Sequence, residues 1–165
     1  MELSWMGRYR ELVRALIYYS NTSNRGTAVS MARVGEISLS KMEYQILEYI
    51  CEFENENRIM TDISRDLGIL QSNVTKATKH LLTYGLAERY HMKGNKKSIV
   101  LKPTEAGKEI YAQYYARDVQ PIFQPFFDFL DQCSDEQLRQ FETAVRILSC
   151  DWQIYSDSLL EKIDE

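Results

Sequence analysis

Apolar residues recur along most of this chain with the period of an α-helix, and each run is bounded by residues that start or stop helices. Trp5, Tyr9, Leu12, Val13, Leu16 and Ile17 share one face, which predicts an amphipathic helix to about Ser20, ended by the polar stretch Asn21 to Thr27. Ser40 with Glu43 three residues later is a capping-box signature ahead of Tyr44, Ile46, Leu47 and Ile50. It predicts a second helix that closes in the acidic run Glu52 to Asn57. Thr61 is the expected N-cap of a short helix through Leu67, with Gly68 suited to a left-handed C-cap. Ser72 is the expected cap of the next helix, whose buried stripe Val74, Ala77, Leu81 and Leu82 runs to Tyr84 and stops at Gly85. Two short helices around a tight Gly-containing turn make a helix-turn-helix.

The period then changes. Leu86 to Met92 and Ser98 to Leu101 are short runs around Lys93-Gly94-Asn95-Lys96, which predicts a β-hairpin with a Gly-Asn centre and a basic tip. Pro103 and Thr104 open another helix carrying Ile110, Tyr111, Tyr114, Tyr115 and Val119. Pro121 and Pro125 follow, and each is expected to kink or break it because proline lacks the N–H that an interior turn needs. Ser134 with Gln137 is a further capping box. Behind it, Leu138, Phe141, Val145, Leu148, Trp152, Tyr155 and Leu159 repeat in alternating steps of three and four, the seam of a long helix packed along a partner helix. The expected class is mainly α with a small β-hairpin wing, the terminal helices serving to join two subunits.

Charge divides the chain into two kinds of segment. The net charge is −4, yet residues 58–102 hold nine cations and three anions, a local balance of +6, while residues 128–165 hold three cations and ten anions. Such segregation suits a molecule that meets an anion with one part and keeps the other away from it. No acidic residue stands between Gln71 and Tyr84. Off the apolar stripe of that helix lie Ser72, Asn73, Thr75, Lys76, Lys79, His80 and Thr83, short donors and acceptors with cations, suited to base edges and phosphates in a major groove. The hairpin-tip residues Lys93, Asn95, Lys96 and Lys97 would lie along the flanking backbone or enter a minor groove. Together these elements read as a winged helix-turn-helix, and with Thr61 the residues named form the candidate DNA-binding set.

Other chemistries find little support. His80, His91, Cys51, Cys133 and Cys150 are too scattered for a metal site, and no cofactor is expected. No nucleophile with a base, acid–base pair or phosphate loop stands at a usable spacing, so an enzyme is not expected. Glu48, Glu52 and Glu54 surround Cys51 in sequence and disfavour a thiolate, which makes a thiol-based oxidant sensor the minor reading. No run approaches a membrane span, and the charged N-terminus does not read as a signal peptide, so a cytoplasmic protein is expected.

The central residues resemble the MarR family of bacterial transcriptional regulators, over almost the whole chain and most clearly from Ser40 to Gly107. The similarity rests on Met60-Thr61-Asp62-Ile63-Ser64, Leu67-Gly68-Ile69, Ser72-Asn73-Val74-Thr75-Lys76, Leu81 through Leu86, and Glu88-Arg89 at the start of the wing. Pro103-Thr104-Glu105-Ala106-Gly107 is similar to the family's Leu-Thr-x-x-Gly opening of the following helix. Where the family commonly carries Asp-x-Arg in the wing, this chain has Asn95-Lys96-Lys97, which removes a carboxylate–guanidinium clamp. The resemblance implies a homodimer on a pseudo-palindromic double-stranded operator, acting as a repressor. Residues 1–34 and 104–165 would supply dimerisation helices and residues 35–103 the DNA-binding module. Tyr18, Tyr19, Tyr44, Tyr49, Tyr111, Tyr114 and Tyr115 fall on helices expected to meet between the dimer interface and the DNA-binding module, most of them as core. The resemblance implies release by a small aromatic effector in that region and assigns it no lining residues. The rival from another class is a protein-interaction adaptor using the same basic face for an acidic partner.

Overall fold

The computed structural model describes residues 4–27, 32–34 and 37–149. They fall into two compact units, one reaching Val119 and the other starting at Gln120.

The first unit begins with a 3₁₀ turn over Ser4–Tyr9 and helix α1, Arg10–Thr27. The polar stretch expected to end this helix is its last two turns. Within it the Thr22 hydroxyl donates to the Tyr18 and Tyr19 carbonyls, so the polar side chain is satisfied without leaving the helix. Strands β1 (Ala32–Val34) and β2 (Ile37–Leu39) pair antiparallel, a ribbon that the hydrophobic pattern does not suggest.

Helix α2, Lys41–Glu52, starts at the expected box. The Ser40 hydroxyl accepts from the Glu43 amide at 3.3 Å, and a Glu43 carboxylate oxygen accepts from the Ser40 amide at 2.6 Å. Helix α3 is Met60–Leu67 and ends on Gly68 in the left-handed region, φ 63°. Helix α4 is Gln71–Thr83. Both expected caps move upstream. Ile59 is the N-cap of α3, its amide held by the Asp62 carboxylate at 3.0 Å, and Thr61 lies inside the helix. Leu70 is the N-cap of α4, with Ser72 inside.

Strands β3 (Ala87–Met92) and β4 (Asn95–Pro103) form the wing, and Ile59 bridges Val100 to tie it to the start of α3. The turn is Lys93-Gly94, one residue earlier than expected, with Gly94 at φ 84°, a conformation only glycine takes cheaply. Helix α5, Glu105–Tyr114, is capped by the Thr104 hydroxyl and packs on α2 and β4. The core is one cluster drawn from β2 through β4: Leu39, Tyr44, Ile46, Leu47, Ile63, Val74, Leu81 and Leu86 are each 1% exposed or less. After α5 the winding widens into a π-helix over Tyr115–Val119.

The second unit holds α6 (Gln120–Leu130) and α7 (Asp135–Leu148). The prolines do not end the helical path, since α6 contains Pro125 in its interior. Ser134 and Gln137 form the expected box at the start of α7. Phe126 meets Phe141 with ring centres 6.3 Å apart, yet Phe141, Val145 and Leu148 remain 48%, 43% and 61% exposed. The seam residues Trp152, Tyr155 and Leu159, and Cys150, lie outside the described residues.

Candidate nucleic-acid interface

Helix α4 has a thirteen-residue span with Val74, Ala77, Thr78 and Leu81 buried. That leaves Gln71, Ser72, Thr75, Lys76, Lys79 and Thr83 exposed along the opposite side. Between this side and the wing runs a groove of about 700 Å³, lined by Thr61, Gln71, Thr75, Lys76, Lys79, Arg89, Lys97 and Ser98 among others. Five of the sequence-predicted residues (Thr61, Thr75, Lys76, Lys79 and Lys97) are therefore brought together by three separate elements. Gln71 and Arg89 join them although the helical pattern does not single them out. The signal available for Arg89 is its place in a β-strand, where side chains point alternately to opposite faces.

The electrostatics of the groove follow from which cations are already engaged. Arg65 pairs with Asp62 at 3.0 Å and with Asp66 at 2.8 Å, and Arg58 pairs with Glu56 at 2.7 Å while lying over the Phe53 ring. The Lys102 ammonium donates to the Glu54 and Glu56 carbonyls, fastening the root of β4 to the loop after α2. By contrast, no ion pair among the described residues holds Lys76, Lys79, Arg89 or Lys97. Four cations left without carboxylate partners along one groove raise its positive potential, because low-dielectric walls focus the field.

The remaining candidates sit elsewhere. His80 turns inward: its Nδ1 is 2.6 Å from Glu43 Oε1 and its ring meets Tyr84 edge-on, so it braces α4 against the start of α2. Asn73 is half-buried and Ser72 exposed, and neither lines the groove. Lys93 lines a second hollow with Asn57, Tyr90, Met92 and Lys102. Asn95 is occupied within the wing. Its side-chain oxygen accepts from the Lys97 amide at 3.0 Å and its nitrogen donates to Ser98 Oγ at 2.8 Å. The strand register explains this, since His91 faces Ile99 while Met92 faces Asn95, leaving residues 96–98 as a bulge that Asn95 clasps. The side chain of Lys96 lies outside the described residues.

No family model matches the chain. Over 123 residues it is 26% identical to the uncharacterized HTH-type transcriptional regulator YhjH of Bacillus subtilis (strain 168), covering 73% of this chain and 67% of that protein. Among solved structures it superimposes on the transcriptional regulator BldR of Sulfolobus solfataricus with a TM-score of 0.59, at 18% identity, covering 87% of this chain and 99% of the other. The adhesin competence repressor AdcR of Streptococcus pyogenes gives 0.58 at 17% identity, covering 87% and 96%. ZitR of Lactococcus lactis, a zinc-responsive MarR family member, gives 0.53 at 17% identity, covering 83% and 96%. The fold is that of the MarR-type winged-helix regulators.

Within this MarR-type fold four of the seven tyrosines have partners inside the protein, while Tyr18, Tyr19 and Tyr115 are exposed. Tyr44 and Tyr114 stack with ring centres 3.6 Å apart and planes 14° from parallel, so a flat ligand entering there would have to part them. Tyr49 donates to Asp66 at 2.7 Å, and Tyr111 to Glu48 at 3.0 Å. Burial pushes the Cys51 thiol up to about 11, with the Glu54 carboxylate adding to it. Among the described residues no group of three or more His, Cys, Asp and Glu could hold a metal ion, and no helix is long and apolar enough to cross a membrane.

Proposed function

We propose that this protein is a sequence-specific, double-stranded DNA-binding transcriptional regulator of the MarR type, acting as a homodimeric repressor. The observation that carries the reading is the groove between α4 and the wing, where Lys76, Lys79, Arg89 and Lys97 line one surface without acidic partners. A helix of thirteen residues is roughly 20 Å long, and its polar side fits a major groove roughly 12 Å wide. Exposed apolar side chains support self-association: Leu12, Ile17 and Tyr18 on α1 are 58%, 54% and 71% exposed, and Ile122 and Phe129 on α6 are 74% and 64% exposed. Two subunits would place recognition helices in successive major grooves of a palindrome, where they would occlude a promoter.

Selection of bound fragments from genomic DNA, with the oligomeric state measured by sedimentation, tests this. A shared palindrome and a dimer are expected. On that site, Lys76→Ala and Lys79→Ala each reduce affinity for all sequences and lower the slope of log affinity against log salt by about 0.9 for each phosphate that is no longer neutralised. Binding that ignores salt, or selection that enriches no common sequence, overturns the reading and favours an acidic protein partner for the same groove.

A further inference from the structure

The recognition helix opens on a residue whose side chain neither caps it nor packs against the core. Leu70 is the N-cap of α4 with extended backbone angles, φ −58° and ψ 136°, and no side-chain cap. Ser, Thr, Asn or Asp would accept an amide hydrogen bond there, and leucine cannot. Its side chain is 72% exposed, more than any other large apolar residue between Ile37 and Tyr114. The preceding residue is not similarly loose. Ile69 packs against the core, its amide donates to the Ser64 carbonyl at 3.0 Å, and its carbonyl accepts from the Ser64 hydroxyl at 2.6 Å. The turn is thus fixed on one side while Leu70 is held outward on the other, beside the exposed Gln71 of the groove.

The uncapped helix start lowers the stability of the free protein, and it and the outward leucine both occur where a recognition helix meets base edges. The major groove carries one apolar group, the 5-methyl of thymine. We propose that Leu70 is a specificity-determining residue that reads a thymine methyl at one position of each operator half-site. The inference rests on the DNA-binding reading above and adds to it a defined chemical target.

The probe is a duplex recovered by the wild-type protein from random-sequence DNA, resynthesised with deoxyuridine in place of thymine at one position at a time. Uracil removes only the methyl. At one thymine in each half-site, wild-type affinity is expected to fall about fourfold, the value of one buried methyl, whereas Leu70→Ser is insensitive to the exchange. The same variant gains a cap and is expected to melt about 3 °C higher, which separates a loss of methyl reading from a loss of folding. If wild type and variant respond alike at every uracil, whether both lose affinity or neither does, Leu70 reads no methyl although DNA binding stands. Failure to recover any duplex removes both the inference and the reading beneath it.

Discussion

Gly107 offers a test in which the usual rule for helices reverses sign. It is the third residue of α5, where exchange of glycine for alanine ordinarily stabilises a helix by about 1 kcal/mol. Here a Cβ would stand 2.1 Å from the Leu86 carbonyl oxygen, 3.0 Å from its carbon and 3.2 Å from Leu47 Cδ1. That carbonyl cannot swing away freely. It accepts the Thr104 amide at 3.1 Å, while the Thr104 hydroxyl donates to the neighbouring Gly85 carbonyl at 2.7 Å. Opening the approach to an ordinary distance moves α5 off the start of the wing by roughly 1 Å, at an overpacking cost of about 1–3 kcal/mol. Breaking the two hydrogen bonds adds about 1 kcal/mol each. After the helix-propensity gain, Gly107→Ala is expected to destabilise the protein by about 2–4 kcal/mol, read by urea denaturation with far-ultraviolet circular dichroism. Ala106→Gly, one residue earlier and exposed, serves as the reference and should lose only about 1 kcal/mol. A Gly107→Ala protein as stable as the parent would refute the close approach.

Two further outcomes follow from the titrating groups. Hydrogen bonds from Tyr49 and Arg65 hold the Asp66 carboxyl below its ordinary range, and burial with the Asp66 hydrogen bond pushes Tyr49 up to about 12. The depressed acid stabilises the fold above its unfolded value of about 4 and loses that contribution as pH falls, while the raised phenol contributes below about 10 and loses it as pH climbs towards 12. Tyr49→Phe should therefore flatten both the acid and the alkaline arms of a stability-against-pH curve, and unchanged arms would count against the Tyr49–Asp66 bond. Cys51, raised from 9.0 to about 11, carries about a hundredfold less thiolate near neutral pH than an ordinary thiol. Its alkylation by iodoacetamide should be slower in the native protein by that factor and recover in urea, and rapid native labelling would revive the oxidant-sensing reading.

What the sequence disclosed and what it hid follow a physical division. Capping boxes at Ser40 and Ser134, the left-handed Gly68 and the buried stripe of α4 are local codes, in which a few neighbouring residues determine the outcome, and all are present. The starts of α3 and α4 fall upstream of their expected places because Ile59 and Leu70 do not look like caps. In α3 the Asp62 carboxylate does the capping instead, and in α4 no side chain does it. The inward turn of His80 depends on Glu43, thirty-seven residues away, and the place of Arg89 in the groove depends on how the wing meets α4. Such pairings are set by tertiary packing, which no local pattern encodes. The pull of Asn95 into the bulge shows the same limit at short range, since its role follows from strand register rather than from its chemistry.

The tight turn at Lys93-Gly94 also governs how the wing can change length. With the hairpin root clamped by Lys102 and Thr104, added residues can enter only near the tip. One more residue on each strand lengthens the arm by about 3.4 Å but turns the tip side chains to the opposite face, whereas two on each strand restore the original facing. Variants that keep the basic residues aimed the same way would thus differ in reach by steps of about 7 Å, close to the rise of two base pairs along a duplex. On the proposed DNA-binding reading, the flanking DNA spanned by such a ruler would shift by two base pairs at a time, while the centre assigned to α4 stayed where it is.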